Sequence, residues 1–164
     1  RVHGVEPLGR REQVALVQAT SLVALTSTAG DAAYVSLKNY AGAMVTIDVL
    51  NATTVTGGAV TLKQAKAVAG TDEKALAFTR MLANIDVGAG QTLTETAVSS
   101  NTFTTDTTNS KRLRYVIDVK AADLDANNGF DCFRVDVASM ANAIGLVSYV
   151  LYGARYNGAN PLAD

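Results

Sequence analysis

The ten residues Lys111-Arg112-Leu113-Arg114-Tyr115-Val116-Ile117-Asp118-Val119-Lys120 decide the fold class. Leu113, Tyr115, Ile117 and Val119 share one parity, and Arg114, Asp118 and Lys120 share the other. A two-residue period places one face of an extended strand on a core and the other in water. Val116 is the exception, an apolar side chain on the wet parity. Ala43 to Leu50 repeats the pattern, with Val45, Ile47 and Val49 alternating with Thr46 and Asp48. Phe130 to Val137 does so again, with Phe133, Val135 and Val137 opposed to Arg134 and Asp136.

Outward from these three segments, weaker strands are predicted at Gln13 to Ala19, Tyr34 to Lys38, Val60 to Ala67, Ala75 to Leu82 and Thr102 to Thr105. Turn clusters such as Thr56-Gly57-Gly58, Gly70-Thr71-Asp72 and Asn127-Asn128-Gly129 punctuate them. Ile144 to Tyr152 is apolar on both parities, which predicts a strand buried on both sides or sealed by a neighbour. Leu22 to Leu25 is apolar but too short to assign, and helix is expected only as single turns at Thr71 to Lys74 and Ala121 to Leu124. Eight or nine short strands without alternating helices predict an all-β fold: an antiparallel β-sandwich, specifically a jelly roll.

Residues 1–12 hold Arg1, Arg10 and Arg11 among Gly4, Pro7 and Gly9, a composition that predicts an extended N-terminal arm. The segment lacks the apolar core of a signal peptide. Residues 13–156 then form a single domain, and residues 157–164, with Gly158 and Pro161, a short tail.

The chain has 164 residues, with 14 Lys plus Arg against 15 Asp plus Glu and a formal net charge of −1. Such a length buries roughly 68–70% of the unfolded surface, enough for a core without staples. The near-neutral balance argues against a dedicated nucleic-acid binder. The longest apolar run, Ala143 to Tyr152, is about half of the ~20 residues that span a bilayer, so neither nucleic acid nor membrane is an expected partner.

Catalytic chemistry needs a base, a nucleophile or a metal, and the usual suppliers are scarce. His3 is the sole histidine and falls in the expected arm, which leaves Ser-His-Asp and Cys-His arrangements without an oriented base. Cys132 is the sole cysteine, so no internal disulfide can form, and it reads as a small buried strand residue. Asp123-Leu124-Asp125-Ala126-Asn127-Asn128-Gly129 spaces oxygen ligands as a calcium loop does. The sixth loop position is Asn128 instead of Gly, however, and the twelfth is Arg134 instead of Glu. A turn is the expected structure there. Scattered carboxylates leave a hydrolase formally open, but only four Glu occur. No enzyme activity, cofactor or metal is expected. Among Tyr149, Tyr152 and Tyr156 the first two suit the core, and Tyr156 is the better contact residue. The threonine-rich stretch Thr92 to Ser110 predicts an exposed loop or edge strand.

Three segments taken together carry a resemblance. They are Gly30-Asp31 leading into Tyr34-Val35-Ser36-Leu37-Lys38-Asn39-Tyr40; Val60-Thr61-Leu62-Lys63-Gln64-Ala65 with Val68-Ala69-Gly70-Thr71; and Leu124-Asp125-Ala126-Asn127-Asn128-Gly129-Phe130-Asp131-Cys132-Phe133-Arg134. In this order and spacing they resemble the small structural proteins of tailed bacteriophages known as capsid decoration or cement proteins. Tyr149 to Tyr152 and Ala154-Arg155-Tyr156 resemble that family's closing strand and tail. The resemblance covers roughly Asp31 onward. It implies a jelly-roll protein of the virion, assembled in the host cytoplasm, that binds the outer capsid surface and bridges copies of an HK97-type major capsid protein. It also implies self-association as a dimer or trimer on the shell, and no catalytic site. The residues expected to touch the shell are Arg1, Arg10, Arg11 and Tyr156. The competing expectation, from a different class, is a carbohydrate-binding jelly-roll module displayed for host adhesion, which the lack of Trp disfavours.

Overall fold

The computed structural model describes residues 14–20, 23–25, 32–90, 92–155 and 160–163. Over them the chain is all-β, with two antiparallel sheets closed on one core. In chain order the strands are β1 (Ala15–Gln18), β2 (Val23–Ala24), β3 (Val35–Ser36), β4 (Gly42–Asn51), β5 (Ala59–Ala65), β6 (Lys74–Ala75), β7 (Arg80–Asn84), β8 (Thr94–Ala97), β9 (Thr102–Thr104), β10 (Arg112–Lys120), β11 (Cys132–Val137) and β12 (Ala143–Tyr152). The larger sheet runs β1-β12-β4-β10-β7-β8, with β2 on the other half of β12. In the smaller sheet, β3-β11-β5 continues into β6 and β9, which pair with different stretches of β5. Four of the pairings nest: β1 with β12, β3 with β11, β4 with β10, and β5 with β9.

The alternations read from sequence give the inner faces of both sheets. Leu113, Tyr115, Ile117 and Val119 of β10 and Val45, Ile47 and Val49 of β4 are buried from one side, and Phe133, Val135 and Val137 of β11 from the other. Two aromatic pairs contribute to the interior: Phe133 with Tyr149, ring centroids 5.0 Å apart, and Phe103 with Tyr115 at 4.9 Å. Beyond its area, such an aromatic pair adds about 0.5–1.5 kcal/mol.

Three expectations are corrected. Ala75 to Leu82 is not one strand: β6 belongs to the smaller sheet and β7 to the larger. The residues between are apolar because Leu76 and Phe78 cross the core on the way, not because they alternate on a sheet. Thr71 to Lys74 is a turn leading into β6, with Asp72 at φ 55°, and not a helical turn. Ile144 to Tyr152 is buried on one side only: Gly145, Val147, Tyr149 and Leu151 point inward, while Ile144 is exposed and Leu146 and Val150 are half-exposed. Ala121–Asp123 does form a 3-10 turn. The threonine-rich stretch supplies an exposed edge strand, β8.

The expected arm, residues 1–12, lies outside the described residues. Of the expected tail, residues 160–163 are described, and the carbonyl of Pro161 accepts the Ser36 amide at 2.8 Å along the edge of β3.

Candidate interaction face

Register across the larger sheet sets its outward side chains in rows. One row is Leu16, Val150, Met44 and Asp118, on β1, β12, β4 and β10. The next is Gln18, Ser148, Thr46, Val116, Leu82 and Glu95, from β1 to β8. Leu16, Val150 and Met44 in the first row and Val116 and Leu82 in the second thus form an apolar band that crosses the sheet obliquely. Leu16 is 75% exposed, Met44 42% and Leu82 36%. A sheet face normally presents polar side chains to water, so a band of this extent, uncovered among the described residues, is a candidate contact surface. Met44, Leu82, Val116 and Val150 line a hollow of about 620 Å³ on this face. Ile144 and Leu50, paired across β12 and β4, add a second exposed apolar patch beyond it.

The rim of the band is polar and internally ordered. The Tyr152 hydroxyl donates to Asp118 Oδ1 at 2.6 Å. Partial burial, and then the Asp118 carboxylate that accepts its proton, push the Tyr152 phenol up to about 12. Gly42 lies opposite Tyr152 in the β4–β12 register, and its missing side chain makes room for that ring: a Cβ there would sit 2.5 Å from the Tyr152 hydroxyl. Arg114 Nε donates to Asp48 Oδ1 at 2.6 Å, and Arg80 stands 3.6 Å from Glu95.

The outer face of the smaller sheet is of a different kind. Glu73 receives the Tyr34 hydroxyl at 2.6 Å and the Lys63 ammonium at 2.6 Å, with Arg134 at 3.0 Å. Asp136 is 2.8 Å from Lys63 and 2.8 Å from Arg134. The Arg134 guanidinium lies over the Tyr34 ring, 4.9 Å from its centroid. Lys63 above all, and then Tyr34, hold the Glu73 carboxyl below the usual carboxylate range; burial and Glu73 push the Tyr34 phenol up. Two cations and two carboxylates neutralise one another here, leaving a polar surface with its charges already engaged.

The residues singled out from sequence divide as follows. Arg1, Arg10, Arg11, Tyr156 and His3 lie outside the described residues. Cys132 is fully buried beside Tyr34, Ala65 and Val68, as its strand position predicts. Asp123 and Asp125 serve the turn: Asp123 accepts the Lys120 amide at 2.9 Å, and Asp125 holds Lys74 and both contacts from the Asn128 amide. Gly129 closes that turn at φ 82°, a left-handed conformation that glycine adopts without strain. Among the described residues, no three His, Cys, Asp or Glu side chains come together as a metal site. Tyr149 is core, whereas Tyr152 is only half-buried and belongs to the rim of the band. The band itself went unassigned in sequence, though Val116 off its parity and the two apolar parities of Ile144 to Tyr152 were its signals.

The chain matches no protein-family model, no curated protein and no solved structure, so the reading of its function rests on the geometry of this face and on the sequence resemblance.

Proposed function

We propose that this chain is a non-enzymatic jelly-roll protein that docks on the outside of an icosahedral phage shell and bridges neighbouring major capsid proteins. The observation that carries the docking is the apolar band Leu16, Val150, Met44, Val116 and Leu82 on the open face of the larger sheet. The jelly-roll reading is supported by the nested pairings. Eight strands numbered along the chain as β1, β3, β4, β5, β9, β10, β11 and β12 pair first with last, second with seventh, third with sixth and fourth with fifth. That is a long hairpin rolled into two sheets, with β7 and β8 as an added hairpin beyond β10.

Burying the rest of each band side chain against a partner contributes on the order of 1 kcal/mol, so one copy holds weakly. On a symmetric lattice, simultaneous engagement of several capsid subunits raises the occupancy far above that of one contact. A protein bound across a subunit boundary opposes separation of those subunits by its binding free energy. The ordered charges of the smaller sheet favour a structural use of those groups over proton transfer. Tyr34, Tyr40, Tyr115 and Tyr149 are buried, which leaves little tyrosine surface among the described residues for the carbohydrate-binding alternative.

The test is quantitative mass spectrometry of purified virions of the phage that encodes the chain. The expected result is this chain in near-stoichiometric ratio to the major shell protein. Its absence from virions, or its recovery as a soluble protein that turns over a small compound, overturns the reading.

A further inference from the structure

The edges of the two sheets are not treated alike. The Pro161 carbonyl meets the amide of Ser36 on β3, and β6 and β9 divide the far side of β5 between them. The larger sheet ends in β1, paired with β12 alone, and in β8, which has β7 on one side and no strand on the other among the described residues. All four of its side chains are exposed, and it carries neither Pro nor Lys, the residues that commonly block an edge.

The orientation of its backbone follows from one bond. The Val98 amide donates to the Thr79 carbonyl at 2.9 Å, and the register that sets Arg80 opposite Ala97, continued by one residue, sets these two opposite each other. Backbone groups alternate sides along an antiparallel strand, so Thr94 and Thr96 turn theirs toward β7, and Glu95 and Ala97 turn theirs outward. The side chains of Glu95 and Ala97 lie on the same outer face as Leu82 and Arg80, their cross-strand partners.

We infer that β8 is a homotypic pairing edge: two copies of this chain join β8 to β8, antiparallel, about a two-fold axis at Thr96. In that register Glu95 of each copy pairs with Ala97 of the other, and their outward amides and carbonyls form four hydrogen bonds. The two Thr96 side chains meet directly on the opposite face, a favourable cross-strand pair. The register with Glu95 opposite Glu95 sets like charges together and is disfavoured. Charge complementarity selects the first: Arg80, 3.6 Å from Glu95 of its own copy, neighbours Ala97, whose short side chain brings Glu95 of the second copy within reach of the same guanidinium. The two-fold axis is normal to the sheet, so both apolar bands face the same way and the pair presents a doubled docking surface. The pairing stands on β8 alone; its use for bivalent docking rests on the shell reading above.

Sedimentation equilibrium of the purified full chain, from micromolar to millimolar concentration, tests it together with amide hydrogen exchange. The expected result is a reversible dimer in which the Glu95 and Ala97 amides become protected only as concentration rises. Ala97→Pro removes an outward N–H without touching the bonds to β7, a position where an edge strand tolerates proline. It is expected to raise the dimer dissociation constant about tenfold or more, as is Glu95→Lys, with Arg80→Glu added to Glu95→Lys restoring association. A wild-type chain that stays monomeric throughout, or a dimer in which Glu95 and Ala97 exchange as fast as in the monomer, overturns the inference. A dimer that fails to bind shells removes the shell reading and leaves the pairing; a monomer that binds them does the reverse.

Discussion

The amide of Val135, in the smaller sheet, donates to the hydroxyl of Tyr149, in the larger, across 2.9 Å of fully buried interior. The bond exists because β3 is short: it pairs with β11 only at Cys132 and Phe133, so the Val135 amide lies past the end of that ladder. A tyrosine reaching over from β12 satisfies it. Replacing Tyr149 with Phe keeps the ring packing on Phe133 and leaves the amide unpaired. The expected loss is about 1–3 kcal/mol, read from urea unfolding. An unchanged midpoint would mean that the bond contributes nothing.

Gly42 tests the rim of the apolar band. A Cβ there would meet the Tyr152 hydroxyl at 2.5 Å and the Val119 carbonyl at 2.7 Å, and the second of these is backbone that cannot swing aside. Gly42→Ala is therefore expected to destabilise the fold by roughly 1–3 kcal/mol. It should also displace Tyr152 from Asp118, which ultraviolet titration would register as ionisation of one tyrosine nearer its ordinary value. A variant with wild-type stability and titration would refute the close packing.

Four tyrosines set the alkaline limit. Burial pushes Tyr34, Tyr115, Tyr149 and Tyr152 upward, Tyr152 to about 12 from an ordinary value of 10.0. The folded state holds these protons more tightly than the unfolded chain does, so their contribution is full below pH 10 and declines as pH rises from 10 toward 12 and beyond. Tyrosinate absorbance and circular dichroism recorded together should show late-ionising tyrosines titrating along with loss of the fold. Ionisation of all six tyrosines near pH 10 with the sheet signal intact would contradict this.

Alternation made the inner faces legible: Leu113, Tyr115, Ile117 and Val119 needed no tertiary information because burial imposes a period of two. The same rule failed where burial is not one-sided. β8 is exposed on both faces, so neither of its parities is apolar, and the run through Leu76 and Phe78 is apolar because it passes between sheets. The outward apolar band is half legible. Val116 stood out as an irregularity, but an apolar residue on the wet parity gains meaning only when register sets it beside Leu82 and one row from Met44 and Val150. No local pattern relates β1, β4, β7, β10 and β12; the strand order of the sheet does. Composition marks Arg1, Arg10 and Arg11 as part of an arm, and only the family resemblance makes them shell contacts; they fall outside the described residues.

The most direct test of docking through the larger sheet uses Met44→Lys combined with Val116→Thr. Both side chains face outward, and the pair of changes should alter stability by less than about 1 kcal/mol. Co-sedimentation with emptied shells of the phage that encodes the chain would compare wild type with the variant. Docking through this face requires at least a tenfold loss of affinity in the variant, about 1.4 kcal/mol, at an unchanged melting temperature. Equal binding by the folded variant would contradict it.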